Sequence, residues 1–449
     1  MTTKSPTFTE KYSAILKVAT ISVLILLLII PTAMIRSLIT ERKERQFDAI
    51  NEVSSKWGGE QILTGPVLTI PYKTFEVDRL GQKVNMKTHN AFFLPEVLNI
   101  SGTINPEIRY RGIFQIAVYN SKINFTGKFK SPDFSDIKNE NTIILWDESF
   151  ISFGITDMRG IKETIKFNWN NQNVVCEPGI QIKEMMNSGF TSRVSDLNNE
   201  SVKSFDFSCD MSLNGSKKIN FIPLGKETIV KMKSSWKDPC FDGAFLPDSR
   251  TINENGFEAS WKVLQFNRNF PQKSYDKDLN FDSSAFGVSL LLPVDMYQIT
   301  DRSVKYAILF ITLTFVVFFF IEVLKKLKVH PIQYILVGLG LCLFYLLLLS
   351  LCEQISFGFA YLVASAGIIG LIGGYSRSVF KNNKLSLMLT AVLIVLYGFI
   401  YVLIQLQDYA LLMGSLGLFM VLAVVMYLSR KINWYAIDAT NTNKDEETN

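Results

Sequence analysis

The side chains best suited to chemistry are few and scattered along this chain. It has two histidines, His89 and His330, so imidazole catalysis or metal binding has almost nothing to work with. Cys176, Cys209 and Cys240 lie in a polar middle region, while Cys342 and Cys352 sit in an apolar run. An odd number of soluble cysteines without C-x-x-C spacing argues against zinc or a disulfide framework, although a single bridge in an oxidising compartment stays open. Cys176 and Cys240 have no base nearby in sequence, and Cys209 falls on the apolar side of an alternating run, as a buried structural thiol does. The phosphate-binding G-x-x-x-x-G-K-[ST], the metal-binding H-E-x-x-H and the nucleophile-bearing G-x-S-x-G patterns do not occur. Glu322, Glu353 and Asp408 lie near the ends of hydrophobic stretches. An ionisable group inside a bilayer is a functional candidate, but at a span end water reaches it, so solvation or capping is expected. No catalytic, cofactor-binding or metal-ligating residue is assigned, and the chain reads as a non-enzyme.

The elements around these residues are set by hydrophobic patterning. Residues 1–37 read as a cytoplasmic lead and a first membrane helix, about two dozen apolar residues long, with Pro31 near its outer end. Arg36, Arg42, Lys43 and Arg45 follow and by themselves favour the opposite orientation. Phe47, Ile50, Val53 and Trp57 recur at helical spacing, which predicts a juxtamembrane helix over 38–60 ending at Gly58-Gly59. Over 61–300 the period becomes two. Phe205, Phe207, Cys209, Met211 and Leu213 alternate with polar residues before Asn214-Gly215, and the spacing predicts a hairpin continuing through Ile219 and Phe221. A second hairpin is expected with Phe114, Ile116 and Val118 before a turn near Asn120-Ser121. Further strands are expected around 67–72, 142–146, 228–236, 257–263 and 286–292. The expected class is therefore a membrane protein of α+β type. It has one N-terminal membrane helix, a large and mainly antiparallel β domain outside the cytoplasm, sandwich-like with one lobe or two, and a C-terminal bundle of five membrane helices.

Those five spans are expected at 304–324, 332–351, 357–375, 385–405 and 409–428, within a block at 301–432, with a disordered cytoplasmic tail over 433–449. Lys325, Lys326 and Lys328 follow the first, Arg377, Lys381 and Lys384 the third, and Arg430 and Lys431 the fifth. The intervening loops carry only Glu353 and Asp408. Basic loops alternating with acidic ones give six spans with both termini inside and the β domain outside. Ala360, Ala364, Gly367, Gly370 and Gly374 make 357–375 the expected centre of the bundle, because small residues let helices approach. The net charge of +5 gathers beside hydrophobic spans rather than in a stripe, which excludes a nucleic-acid surface.

The run Pro293-Val294-Asp295-Met296-Tyr297-Gln298-Ile299-Thr300-Asp301-Arg302, the LTFVVFFFIE stretch ending at Glu322, His330-Pro331-Ile332-Gln333-Tyr334 and Gln407-Asp408-Tyr409-Ala410-Leu411-Leu412 resemble the CreD family of bacterial cell-envelope integrity proteins. Gly65-Pro66, Phe93-Leu94-Pro95-Glu96 and Asp157-Met158-Arg159-Gly160 fit as well, and the likeness covers nearly the whole chain. The resemblance implies a Gram-negative inner-membrane protein with a periplasmic domain, linked to envelope stress and a two-component regulatory system. It implies no reaction, ligand or catalytic residue. The expected function is non-catalytic: the periplasmic domain binds an envelope protein or cell-wall component, and the bilayer holds the helices. The alternative is a transporter or channel for a small molecule.

Overall fold

The computed structural model describes residues 13–430 except 138, 183–184, 199–201, 276–278, 291–295, 326, 328 and 407–408. The expected tail and the topology-setting Lys326, Lys328 and Lys431, together with Asp408, lie outside the described residues. The chain forms two compact units. One is Gln46–Pro293, and the other joins the segment before Gln46 to the segment after Pro293.

Helix α1 runs unbroken over Ser13–Trp57, with Pro31 inside it. The helix expected over 38–60, continuing out of the membrane and ending at Gly58-Gly59, is the outer part of α1. Residues 41–46, Glu-Arg-Lys-Glu-Arg-Gln, are all good helix formers, and nothing there gives the backbone a reason to leave the helix. It stops at Gly58, whose N–H donates to Ser54 O at 2.9 Å and whose φ is +141°. A Cβ there would lie 2.6 Å from the Asn214 carbonyl oxygen, so both conformation and close approach require glycine.

The β unit follows as β1 (Gln61–Val77), β2 (Lys83–Phe93), β3 (Val97–Arg111), β4 (Phe114–Lys130), β5 (Thr142–Ile144), β6 (Phe150–Ile155), β7 (Lys166–Trp169), β8 (Gln172–Val174) and β9 (Glu177–Pro178). It continues as β10 (Gly189–Arg193), β11 (Ser204–Ser216), β12 (Lys218–Phe221), β13 (Glu227–Ser234), β14 (Pro239–Gly243), β15 (Ser249–Asn253), β16 (Gly256–Leu264), β17 (Lys273–Tyr275) and β18 (Phe286–Leu290). One sheet has the order β14-β18-β12-β1-β6-β10-β9, with β2 and β5 on β1 and β17 on β2; the other has the order β15-β16-β13-β3-β4-β11-β7-β8. The pairs β1–β12 and β13–β3 are parallel and the rest antiparallel. Inward residues of both sheets join one hydrophobic cluster, including Ile70, Phe153 and Phe221 from the first and Ile100, Phe125 and Trp261 from the second. Rings meet across it: Phe125 lies 5.8 Å from Phe153 and Trp261 5.8 Å from Phe286. The β unit therefore has one core, not two.

Neither expected hairpin forms. β11 pairs with β4 from Ser204 to Ser216, so Asn214 and Gly215 are strand residues opposite Asn120 and Tyr119. The chain turns instead at Lys217, φ +61°, and β12 enters the other sheet between β1 and β18. Asn120-Ser121 does not turn either, because β4 is held on both sides by β3 and β11. There the Asn120 side-chain amide donates to Asn214 Oδ1 at 3.0 Å and the Ser121 hydroxyl donates to Leu213 O at 3.0 Å. Polar residues that suggest a turn are spent on cross-strand bonds.

The helical unit contains the membrane part of α1, then α2 (Met296–Lys305), α3 (Ala307–Leu324), α4 (Pro331–Cys352), α5 (Phe357–Phe380), α6 (Asn383–Gln405) and α7 (Ala410–Ser429). Six helices, α1 and α3 to α7, are long and apolar enough to cross a membrane. The expectation that Gly367, Gly370 and Gly374 bring neighbours close to α5 is overturned, although α5 does pack against both α4 and α6. Ala360 and Ala364 are buried, but a Cβ on Gly367, Gly370 or Gly374 would meet no atom within 4 Å. The close approach occurs in α4, where a Cβ on Gly338 would lie 2.2 Å from Leu28 Cδ1 of α1 and 3.0 Å from Phe315 of α3.

Candidate ligand-binding face of the β unit

The few chemically equipped residues are structural in place. His89, in β2, shares a 3.0 Å hydrogen bond with Thr74 and stacks on Tyr72. His330 caps α4: its Nδ1 accepts from Ile332 N at 3.3 Å while Gln333 Oε1 accepts from His330 N at 3.1 Å. All five cysteines are free thiols. Burial pushes the Cys209 thiol well above its usual range and raises that of Cys176, whose Sγ accepts from the Ser192 hydroxyl at 3.3 Å. Both shifts oppose thiolate formation.

Glu322 departs from expectation. It is 3% exposed rather than solvated, because α4 packs over the end of α3. Its Oε1 accepts from Lys17 Nζ at 2.8 Å and Val329 N at 3.2 Å, and its Oε2 accepts from the Tyr334 hydroxyl at 2.9 Å. All three donors come from the same unit, so the buried carboxylate is hydrogen-bonded within it. Glu353 accepts from the Tyr297 hydroxyl at 3.0 Å and faces Arg42 at 3.7 Å, while Arg36 meets Asp301 at 3.1 Å.

The surface with the most convergent polar chemistry is the outward face of the eight-stranded sheet. Alternation sends Ile100, Phe125, Met232 and Trp261 inward and leaves short polar residues outside. Register then lines up Ser249, Ser260, Lys231, Ser101, Asn124, Asp210 and Lys166 across β15, β16, β13, β3, β4, β11 and β7. A neighbouring row holds Thr251, Glu258, Lys233, Thr103, Lys122 and Ser212. At about 4.8 Å between strands, the seven-strand row is roughly 29 Å long and the six-strand row roughly 24 Å. The face forms an open trough of about 760 Å³. Its lining has five cations, Lys122, Lys166, Lys231, Lys233 and Arg250, against three carboxylates, Glu163, Asp210 and Glu258. Lys233 pairs with Glu258, and Asp210 accepts from the Asn124 amide at 2.6 Å. Lys122, Lys166 and Lys231 are exposed and have no ion pair among the described residues. Sequence reasoning missed this site. Each strand shows its polar alternation, but β3 and β13 become neighbours across more than a hundred residues, and no local signal announces that.

The same strands continue into a joint that holds the end of α1. From β3, Arg111 donates through Nε and Nη2 to the Glu52 carboxylate, both at 3.0 Å, and the Arg109 guanidinium lies 3.8 Å from the Trp57 ring centre. From β4, Tyr119 O accepts from Trp57 Nε1 at 3.2 Å, and from β11 the Ser216 hydroxyl donates to Ser54 Oγ at 2.8 Å. Asp157 accepts from Gly59 N at 2.9 Å and from both the Nε and Nη2 of Arg159 at 2.9 Å. That guanidinium holds the Asp157 carboxyl below its usual range.

Comparison with known proteins adds the whole-chain evidence. A family profile described as "Inner membrane protein CreD" matches residues 13–435. Inner membrane protein CreD of Escherichia coli (strain K12) is 34% identical over 433 residues, covering 94% of this chain and 94% of that protein. Because the match runs through the β unit as well as the apolar helices, it reflects more than shared hydrophobicity, and the chain belongs to the CreD family of inner-membrane proteins.

Proposed function

We propose that this is a non-catalytic protein contributing to cell-envelope integrity, whose β unit lies in the periplasm and binds an envelope component in the trough while the helices anchor it. The observation that carries this reading is the set of exposed lysines, without ion pairs among the described residues, that stand over short hydroxyl and amide side chains. Lys325, Arg377, Lys381, Lys384 and Arg430 support the orientation, since each lies at a helix end that this topology puts in the cytoplasm. Arg36, Arg42, Lys43 and Arg45 argue the other way, against the five basic positions at the later helix ends; Arg36 and Arg42 are held by Asp301 and Glu353. A photocrosslinking amino acid in place of Thr103 tests the reading in cells. A specific adduct is expected; no adduct, or the same products as from a probe at the remote Leu80, overturns it.

The transporter alternative draws on the buried Glu322, but three donors hold that carboxylate in place. Packed rings also fill part of the helical unit: Tyr397 lies 4.4 Å from Phe310 and 4.8 Å from Phe344 between ring centres. These features favour an anchor over a conduit.

A further inference from the structure

We infer that the occupant of the trough is a linear glycan bearing carboxylates at intervals, an inference that rests on reading the trough as the site for an envelope component. The charge balance of the lining favours an anion, and Lys122, Lys166 and Lys231 make no ion pair among the described residues, although Lys166 stands in register with Asp210. Lys231 on β13, Lys122 on β4 and Lys166 on β7 stand two strands apart in turn, with Lys122 one row over, so that successive lysines are about 12 Å apart, close to the length scale of a sugar pair. Between them Ser101, Thr103 and Asn124, and beyond Lys231 Ser260, offer hydroxyl and amide groups of the kind that exchange hydrogen bonds with sugar hydroxyls.

A peptide fits less well. The floor strands β3, β4, β13 and β11 are each paired on both sides, so no free edge remains for strand addition. The apolar lining residues Ile123, Met211 and Met232 are buried beneath the floor and give no pocket for an anchoring side chain. A nucleic acid, with a charge on every residue, meets Glu163, Asp210 and Glu258 and finds no aromatic ring in the lining for base stacking.

Binding to the full-length protein in detergent micelles tests the inference. The probes are a hyaluronan octasaccharide, which carries a carboxylate on alternate sugars, a neutral chito-oligosaccharide of equal length and a polyglutamate of equal charge. The octasaccharide is expected to bind saturably and more weakly as salt rises, with the other two weaker by about tenfold or more. In a Lys122→Gln, Lys231→Gln variant its affinity is expected to fall about tenfold with an unchanged unfolding midpoint. Polyglutamate binding as tightly as the glycan, an unaffected variant, or no glycan binding overturns the inference. If the Thr103 crosslinker still captures a specific component in cells, the trough remains a binding site and only the glycan assignment falls. If it captures none, the underlying reading falls too.

Discussion

At the scale of single residues, the positions that matter most are those where close approach or a buried charge leaves no alternative. Gly338→Leu drives a branched side chain into Leu28 and Phe315 and is expected to destabilise the detergent-solubilised protein by about 1–3 kcal/mol. Gly370→Leu, on an open face, is expected to unfold with the wild type; equal losses in thermal unfolding would count against the packing described here. Lys17→Met leaves the Glu322 carboxylate buried without its counter-ion. A cost of about 2 kcal/mol is expected, below that of a fully enclosed pair because Lys17 is 45% exposed. A Glu322→Gln background should shrink that cost; an unchanged cost would show that Lys17 acts independently of Glu322. Asp157 titrates lower in the fold than in the unfolded chain. Its contribution is therefore complete above the ordinary aspartate range and is lost as pH falls through the lowered value. Wild type and Asp157→Asn are expected to differ in unfolding free energy at neutral pH and to converge in strong acid, whereas a gap independent of pH would contradict this.

At the scale of elements, the sequence made most helices and strands legible, because a span of some 20 apolar residues and a period of two are local properties. Partnering was not legible. Phe205 to Leu213 and Ile219 to Phe221 both alternate correctly, yet they belong to different sheets, and Asn214-Gly215, a strong turn signal, is extended strand. The trough was hidden for the same reason: its lysines come from strands brought together only by the sheet order. Gly370 and Gly374 show a related limit, since small-residue spacing marks a face that can be approached but does not say that anything approaches it. The joint at the end of α1 gives a test at this scale. Trp57→Ala removes both the hydrogen bond to Tyr119 O and the platform under Arg109. Faster hydrogen exchange at the amides of residues 54–59 is expected, while Arg111→Ala, which breaks an exposed pair, should change it little. Equal effects would mean that the surface charges, not the indole, hold the joint.

At the scale of the whole molecule, what the β unit can bind depends on the side of the bilayer to which it is exposed. Six long apolar helices and a polar β unit of one core are compatible with either orientation, and only the placement of basic residues at the helix ends separates them. Labelling with a membrane-impermeant maleimide addresses this directly, in spheroplasts expressing a Cys176→Ser, Cys240→Ser background that carries either Leu80→Cys in the β unit or Lys325→Cys after α3. Leu80→Cys is expected to react in intact spheroplasts and Lys325→Cys only after permeabilisation. The reverse pattern would contradict a periplasmic β unit.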